Sequence, residues 1–410
     1  MKVPWQAGRV LTPEEWEDHC RAVRGDCRDC NIHPGAYRAE APDFALLLKP
    51  GEWPRLAKLV QKLTQEMLAA EQELASKPDL YRLLGLPPTI RRVMEECGPQ
   101  CQPKSAARLV RFDFHFTKQG WLFSEVNTGR VGGLLEPYCF AKAMAPYYPG
   151  FSPPPNPASK YAEAISGAAG RNGLIGFVHA SPRSSIRDAQ FLAREVERTG
   201  MRTTLLPLRR LWWTSSLARV RVSSGILTPD LLVRGITVRE LVRSNERAVW
   251  EPWFCGGKTL MSNPGTVVVV GSKRFPVLWK EMDTRMSTWR SFLPETCCPG
   301  ELKGGSVTDW VFKPTFGSDG ARVAIAGVTM RQAFRETVDQ ARRHPDRWVA
   351  QRRFESVALS TERGPGHVCL GIYTVDGVAA GAFTRIRGDA LINAHSLRIP
   401  VLVPQSDAGL

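Results

Sequence analysis

Asp113, Glu125 and Asn127 are the residues whose types and spacing point most directly to chemistry. They lie in RFDFHFTKQGWLFSEVN, residues 111–127, where Phe112, Phe114 and Phe116 alternate with Arg111, Asp113 and His115. A period of two predicts a half-buried strand with one apolar and one polar face. Lys118-Gln119-Gly120 suits a three-residue hairpin loop closed by a left-handed glycine. Pairing Thr117 with Trp121 then sets Asp113 opposite Glu125 and Arg111 opposite Asn127, all on one face. Carboxylates directly across a strand pair repel, so a cation is expected between them. Arg111 is one candidate. A hard divalent ion is the better one, because two carboxylates and an amide oxygen suit magnesium, which retains waters and bridges substrate phosphates. A solvated acidic edge hairpin is the plainer alternative; the coincidence of Arg, Asp, Glu and Asn in one register favours the metal.

Other segments hold weaker signals. FKPTFGSDGARV puts Lys313 at a strand end, followed by Gly317, Ser318 and Gly320. Glycines let backbone N–H groups approach a phosphate, and lysine adds a point charge. The order GxxxxGK is absent, so this is no P-loop, and taken alone the segment reads first as a hairpin loop that happens to contain glycine. Lys273 follows the apolar run TVVVVGS and reads as a second phosphate lysine or a solvated strand end. Arg385, in GAFTRIRGD, could clamp an anion or lie on a surface strand, and His395 carries less weight still.

The elements that must position these residues follow from periodicity. Residues 1–45 read as an irregular Cys- and Arg-rich cap, and Glu52 to Ser76 as a long amphipathic helix with Leu56, Leu59, Val60, Leu63, Met67, Leu68 and Leu74 on one face. PYYPGFSPPPNPASK is the best linker candidate. NGLIGFVHA, a helix through SSIRDAQFLAREVERTG, and MRTTLLPL give a βαβ rhythm; PDLLVRGI adds a strand and TVRELVRSNERAVWEPWF a helix. GTVVVVGS reads as a strand and KRFPVLWKEMDTRMSTWRSFL as a helix. The last third reads as strand, glycine loop and strand, then a helix through TMRQAFRETVDQARRH, the strand RWVAQRRF, and a hairpin through HVCLGIYTVDGVAAGAFTRIR. Mixed sheets with flanking helices make the fold class α/β or α+β. Four segments are expected: a cap over 1–83, the metal hairpin over 84–150, an α/β domain over 151–265 and nucleotide-binding lobes over 266–410.

At 410 residues, 43% hydrophobic and 23% charged, the composition is that of a globular protein. No apolar run approaches a membrane span and the N-terminus has no secretory h-region, so a cytoplasmic protein is expected. The net charge of +15 suits an anionic small substrate better than nucleic acid, because the arginines are scattered rather than massed. Ten cysteines are read mainly as thiols. Cys20, Cys27, Cys30 and His33 fall close together and make a structural zinc site a secondary expectation, although their spacing matches no strong zinc signature.

The order of the pieces, RxD, ExN, SK, KP with a glycine loop, a strand ending in Gln351 and a late arginine, resembles one family. From about Leu84 to Val403 the chain is similar to the synthetase domain of glutathionylspermidine synthetase and its ATP-grasp relatives, in which the acidic metal ligands precede the nucleotide lysines. The resemblance implies an ATP-grasp fold. It also implies magnesium on Asp113, Glu125 and Asn127, ATP phosphates on Lys273 and Lys313 under the loop from Gly317 through Ser318 to Gly320, and adenine facing the strand that ends at Gln351. Arg111 and Arg385 would steady a reacting carboxylate and its acylphosphate. The implied activity is an ADP-forming ligase that joins an amino acid or short peptide to an amine. No amidase domain like the one fused to the namesake is evident, and the first 80 residues lie outside the match, so glutathione and spermidine do not carry over as substrates. A phosphoryl transferase on the same fold, or a basic tRNA-associated protein, is the alternative; a dimer is compatible with either.

Overall fold

The computed structural model describes residues 2–28, 42–98, 106–180, 183–223, 225–243, 247–302, 306–317 and 320–409. Its largest sheet is antiparallel, in the order Leu397–Ile399, Val378–Arg387, Gly364–Val375, Leu109–Thr117, Gly120–Asn127, with Leu359–Thr361 paired to Gly364–Val375 off that path. The long helix Glu52–Ala75 packs across the two strands of the later hairpin. Its stripe of Leu56, Val60, Leu63, Met67, Ala70 and Leu74 is buried as its spacing predicts, each large side chain contributing roughly 1.5–3 kcal/mol. The phenylalanine face of Leu109–Thr117 completes this core: Phe112 meets Phe123 edge to face at 5.7 Å, and Phe123 meets Trp289 at 5.1 Å.

All nine residues of Leu109–Thr117 are buried, which corrects the half-buried expectation. The polar face is covered because a second antiparallel sheet, Thr296–Cys297, Trp348–Arg352 and Trp310–Pro314, brings Lys313 against it. A parallel sheet runs in the order Leu260–Ser262, Leu231–Gly235, Leu174–His179, Arg202–Pro207, as the βαβ rhythm predicts. A small mixed sheet joins Trp5–Ala7, Leu46–Leu48, Val401–Pro404 and Phe151–Ser152, so residues near both ends of the chain meet. The proline-rich connector contributes Phe151–Ser152 to it, and Asn156 then caps the helix Pro157–Ala169 through its side-chain oxygen.

Several expectations change. The cap is not wholly irregular: it contains the strand Trp5–Ala7 and the helix Pro13–Arg28. The valine run is not a strand but a 3-10 turn, Gly265–Val267, leading into a short helix, Val268–Gly271. Val267 to Val270 are all buried, and a short apolar run packed on every side is satisfied by either structure. The long helix expected after Lys273 is a 3-10 turn, Phe275–Leu278, and a separate short helix, Ser287–Phe292. In the helix expected around residues 238–254 the described pieces are Val238–Arg243, Arg247–Trp250 and Pro252–Cys255, and Pro252 separates the second from the third. After the glycine loop only a single bridge, Phe312 to Ala324, replaces the expected second strand. Cysteine is not wholly thiol either, because Cys97 and Cys255 form a disulfide. No helix among the described residues is long and apolar enough to cross a membrane.

Candidate functional site

The hairpin registers as the alternation predicts at its chemical end and differently at its turn. Thr117 pairs with Gly120 around a two-residue turn, and an irregularity between Asp113 and Phe114 takes up the extra residue, Ser124. Asp113 therefore still lies opposite Glu125, and Arg111 opposite Asn127. The bulge also releases the Ser124 carbonyl from the ladder, and Lys313 Nζ donates to it at 3.2 Å.

Asp113 is 1% exposed. Arg111 Nε donates to its Oδ1 at 2.6 Å and Nη2 to its Oδ2 at 3.1 Å, while Arg385 Nη2 and Asn127 Nδ2 reach Oδ2 at 2.8 and 3.3 Å. Glu125 pairs with Lys273 at 3.1 Å, and Lys273 Nζ also donates to the Gly317 carbonyl at 3.1 Å. Lys313 Nζ donates to Gln351 Oε1 at 2.7 Å, and Gln351 in turn donates to Thr296 Oγ1 at 3.1 Å. Of these residues Asp113, Glu125, Lys273, Lys313, Gln351 and Arg385 border one cavity of about 380 Å³, with Gly317 and Gly320 also in its wall. Gly320 roofs it with φ +67°, and a Cβ there would stand 2.6 Å from the Ile392 carbonyl oxygen.

Burial alone would raise the carboxyl of Asp113; Arg111 and Arg385 outweigh it and hold that carboxyl well below the usual range. For Glu125 burial also opposes ionisation, and Lys273 overcomes it. Burial pushes Lys313 down to about 8, with Glu125 opposing and Lys273 reinforcing the drop. His115, buried and facing Lys313, is pushed down to about 4 and is neutral at pH 7. Four cations, Arg111, Arg385, Lys273 and Lys313, thus surround two carboxylates. Arg385 Nε is buried with no acceptor among the described residues, a cost that an incoming anion would remove.

Arg111, Asp113, Glu125, Asn127, Lys273, Lys313, Gly317, Gly320, Gln351 and Arg385 therefore converge through direct contacts or the shared cavity wall. Ser318 lies outside the described residues. So do Cys30 and His33 of the expected zinc group, and of its members only Cys20, which is buried, has a described side chain. No group of three or more His, Cys, Asp or Glu among the described residues could hold a metal ion, so zinc finds no support.

Two contributors escaped the sequence reading. Gly371 lies opposite Asp113 on the neighbouring strand, and a Cβ there would stand 2.8 Å from Arg111 Cδ. A glycine inside the apolar run VCLGIYTV was the available signal, since strand glycines mark close approach. Tyr373 donates to the carbonyls of Gly132 and Gly133, holding the loop that also receives Arg111 Nη1 at Gly132; nothing in its local sequence announces this.

No family model matches the sequence, and no curated protein matches it. Among solved structures, a glutathione synthetase-like effector from Globodera pallida, determined without ligand, is similar over 96% of this chain and 99% of its own, with a TM-score of 0.59 and 11% identity. A Methylobacillus flagellatus protein provisionally described as a gamma-glutamylcysteine synthetase overlaps 82% of this chain and 88% of its own at a TM-score of 0.42 and 11% identity. The near-complete overlap with the first, together with the sheets described above, shows that the chain has the mixed α/β, ATP-grasp type of fold found in glutathione synthetase-like structures.

Proposed function

We propose that the protein is an ATP- and magnesium-dependent carboxylate–amine ligase, joining an amino acid or short peptide to an amine through an acylphosphate and releasing ADP. The observation that carries this reading is the cavity in which Arg385, Lys273 and Lys313, with Arg111 bound to Asp113, meet two carboxylates and Arg385 Nε has no acceptor among the described residues. Formally the six groups leave two positive charges, which a magnesium-bound nucleoside triphosphate, a dianion, would neutralise. The donor set suits the metal as well: Asp113, Glu125 and Asn127 share one face of the hairpin and offer only oxygen ligands. Bound there, magnesium would shield the phosphate oxygens from one another.

Lys273 and Lys313 would hold the phosphates, with Gly317 and Gly320 over them and Gln351 fixing the Lys313 ammonium. Arg111 and Arg385 would turn from Asp113 toward the substrate carboxylate and the transferring phosphoryl group. One carboxylate oxygen bonds to the γ-phosphorus as the bond to ADP breaks. The amine nitrogen then bonds to the acyl carbon, phosphate departs and the amine loses a proton. The fold shared with the glutathione synthetase-like effector supports this class of chemistry; the glutathionylspermidine synthetase resemblance supports the residue roles.

The test is incubation with ATP, magnesium and a pool of amino acids, short peptides and amines, following ADP and product masses together. ADP release with a new mass equal to two components minus water is expected. ADP with a phosphorylated product instead would establish a phosphoryl transferase, and absence of nucleotide binding would end the ligase reading.

A further inference from the structure

A second cavity, of about 40 Å³, lies at the end of the parallel sheet, with Gly129, Arg130, Val178, Asp188, Arg234 and Gly235 in its wall. Leu174–His179 is flanked by Arg202–Pro207 on one side and Leu231–Gly235 on the other, so the chain reverses its winding between the first and third of these strands. In open parallel sheets that crevice, beyond the carboxyl ends of the strands, is where ligands bind.

Arg234 sits in it, 3% exposed. Its Nε, Nη1 and Nη2 donate to the carbonyls of Asn263, Ile236 and Pro264 at 2.9, 3.2 and 3.4 Å. These bonds use three of its five N–H groups and supply no negative charge. No carboxylate among the described residues pairs with it, and the charged neighbour acting on it, Arg108, is also positive. A buried charge without a counter-ion is expensive. On the loop side the guanidinium faces Gly129, where a Cβ would stand 3.1 Å from Nη2. The space holds roughly three water-sized spheres, enough for a carboxylate group and too little for a whole amino acid.

The same loop reaches the first site. Gly132, three residues after Gly129, accepts from Arg111 Nη1 at 2.9 Å, and three residues span at most about 10 Å. Resting on the ligase reading, we propose that Arg234 is a carboxylate subsite. It holds the non-reacting carboxylate of a short dicarboxylic substrate, an acidic amino acid or short peptide, while the reacting carboxylate lies at Arg111 and Arg385. The rim ion pair of Arg130 with Asp188, 3.2 Å apart, offers an exposed acid to the ammonium of such a molecule.

The experiment is calorimetric titration of the full chain with glutarate and with butyrate, a monocarboxylate of comparable length, alongside a separate titration with magnesium and ATP. Glutarate is expected to bind at least about tenfold tighter than butyrate, Arg234→Met to erase that ratio without changing ATP affinity, and Arg234→Lys to restore part of it. Equal binding of the two acids, or an unchanged ratio in Arg234→Met, overturns the subsite. Should Arg234→Met fail to fold, Gly129→Ala keeps the guanidinium and crowds its loop side; it should weaken glutarate while leaving ATP affinity unchanged, and no effect on glutarate overturns the proposal. ATP binding without a glutarate preference removes the subsite alone, whereas a glutarate preference without ATP binding removes the ligase reading.

Discussion

Asp113 is 1% exposed and held by two guanidinium groups, whereas a quarter of the Glu125 side chain is open to solvent. Removing Asp113 would strand Arg111 and Arg385 against each other, so Asp113→Ala should cost about 3–5 kcal/mol of stability as well as activity. Glu125→Gln isolates the chemistry better. Turnover should fall by about a hundredfold or more, with denaturant stability changed by no more than about 1 kcal/mol, and an active variant would remove Glu125 from the metal site. Lys313 gives opposite pH signatures for folding and for binding. Because burial lowers it to about 8 in the folded chain, the unfolded chain binds more protons above that value, and stability should rise from about pH 8 toward the ordinary lysine range near 10.5. A bound phosphate would raise the same group, so ATP affinity should fall over that window and binding should take up a proton. Calorimetry in buffers of different ionisation enthalpy measures this directly. The acids were legible because residue type and spacing encode them. Arg234 was not, since only packing reveals that no carboxylate among the described residues pairs with it.

At the scale of the element, the hairpin and the strand beside it form one device. Gly371 leaves room for Arg111 to lie flat over the sheet. Gly371→Ala should force Arg111 off Asp113, at a cost of about 1–3 kcal/mol, and reduce turnover by about a hundredfold through misplacement. A crystal structure or kinetic assay showing Arg111 and turnover unmoved would contradict this. The hairpin also shows why a correct register can be read by an incorrect route: a three-residue loop and a two-residue turn followed by one bulged residue add the same offset between Asp113 and Glu125. Strict alternation identified the strand, whereas nothing in Phe123 and Ser124 marks the bulge. Burial from both sides, as at Val267 to Val270, removes the periodicity that distinguishes a strand from a helix. That is why this run was misread while Glu52–Ala75, with one wet face, was not.

Across the whole molecule, the Cys97–Cys255 disulfide closes a sequence separation of 158 residues. Restricting so long a loop in the unfolded chain is worth up to about 5 kcal/mol, so reductant should lower the melting temperature; an unchanged melt would show that the bond contributes little. The sequence offered ten cysteines without partners, and pairing across such a distance is a property of the fold. The βαβ order was legible because it repeats locally. The sheet uniting Leu46–Leu48 with Val401–Pro404 was not, since its partners are brought together only when everything between them has folded. The roof made by Gly320 against Ile392 has a consequence in time rather than in energy. Should the nucleotide of the proposed reaction reach the 380 Å³ cavity that both residues border by way of this contact, parting the two would pace each cycle. Stopped-flow traces of a fluorescent ATP analogue should then reach a rate ceiling at high ligand concentration, a gate felt as a waiting time.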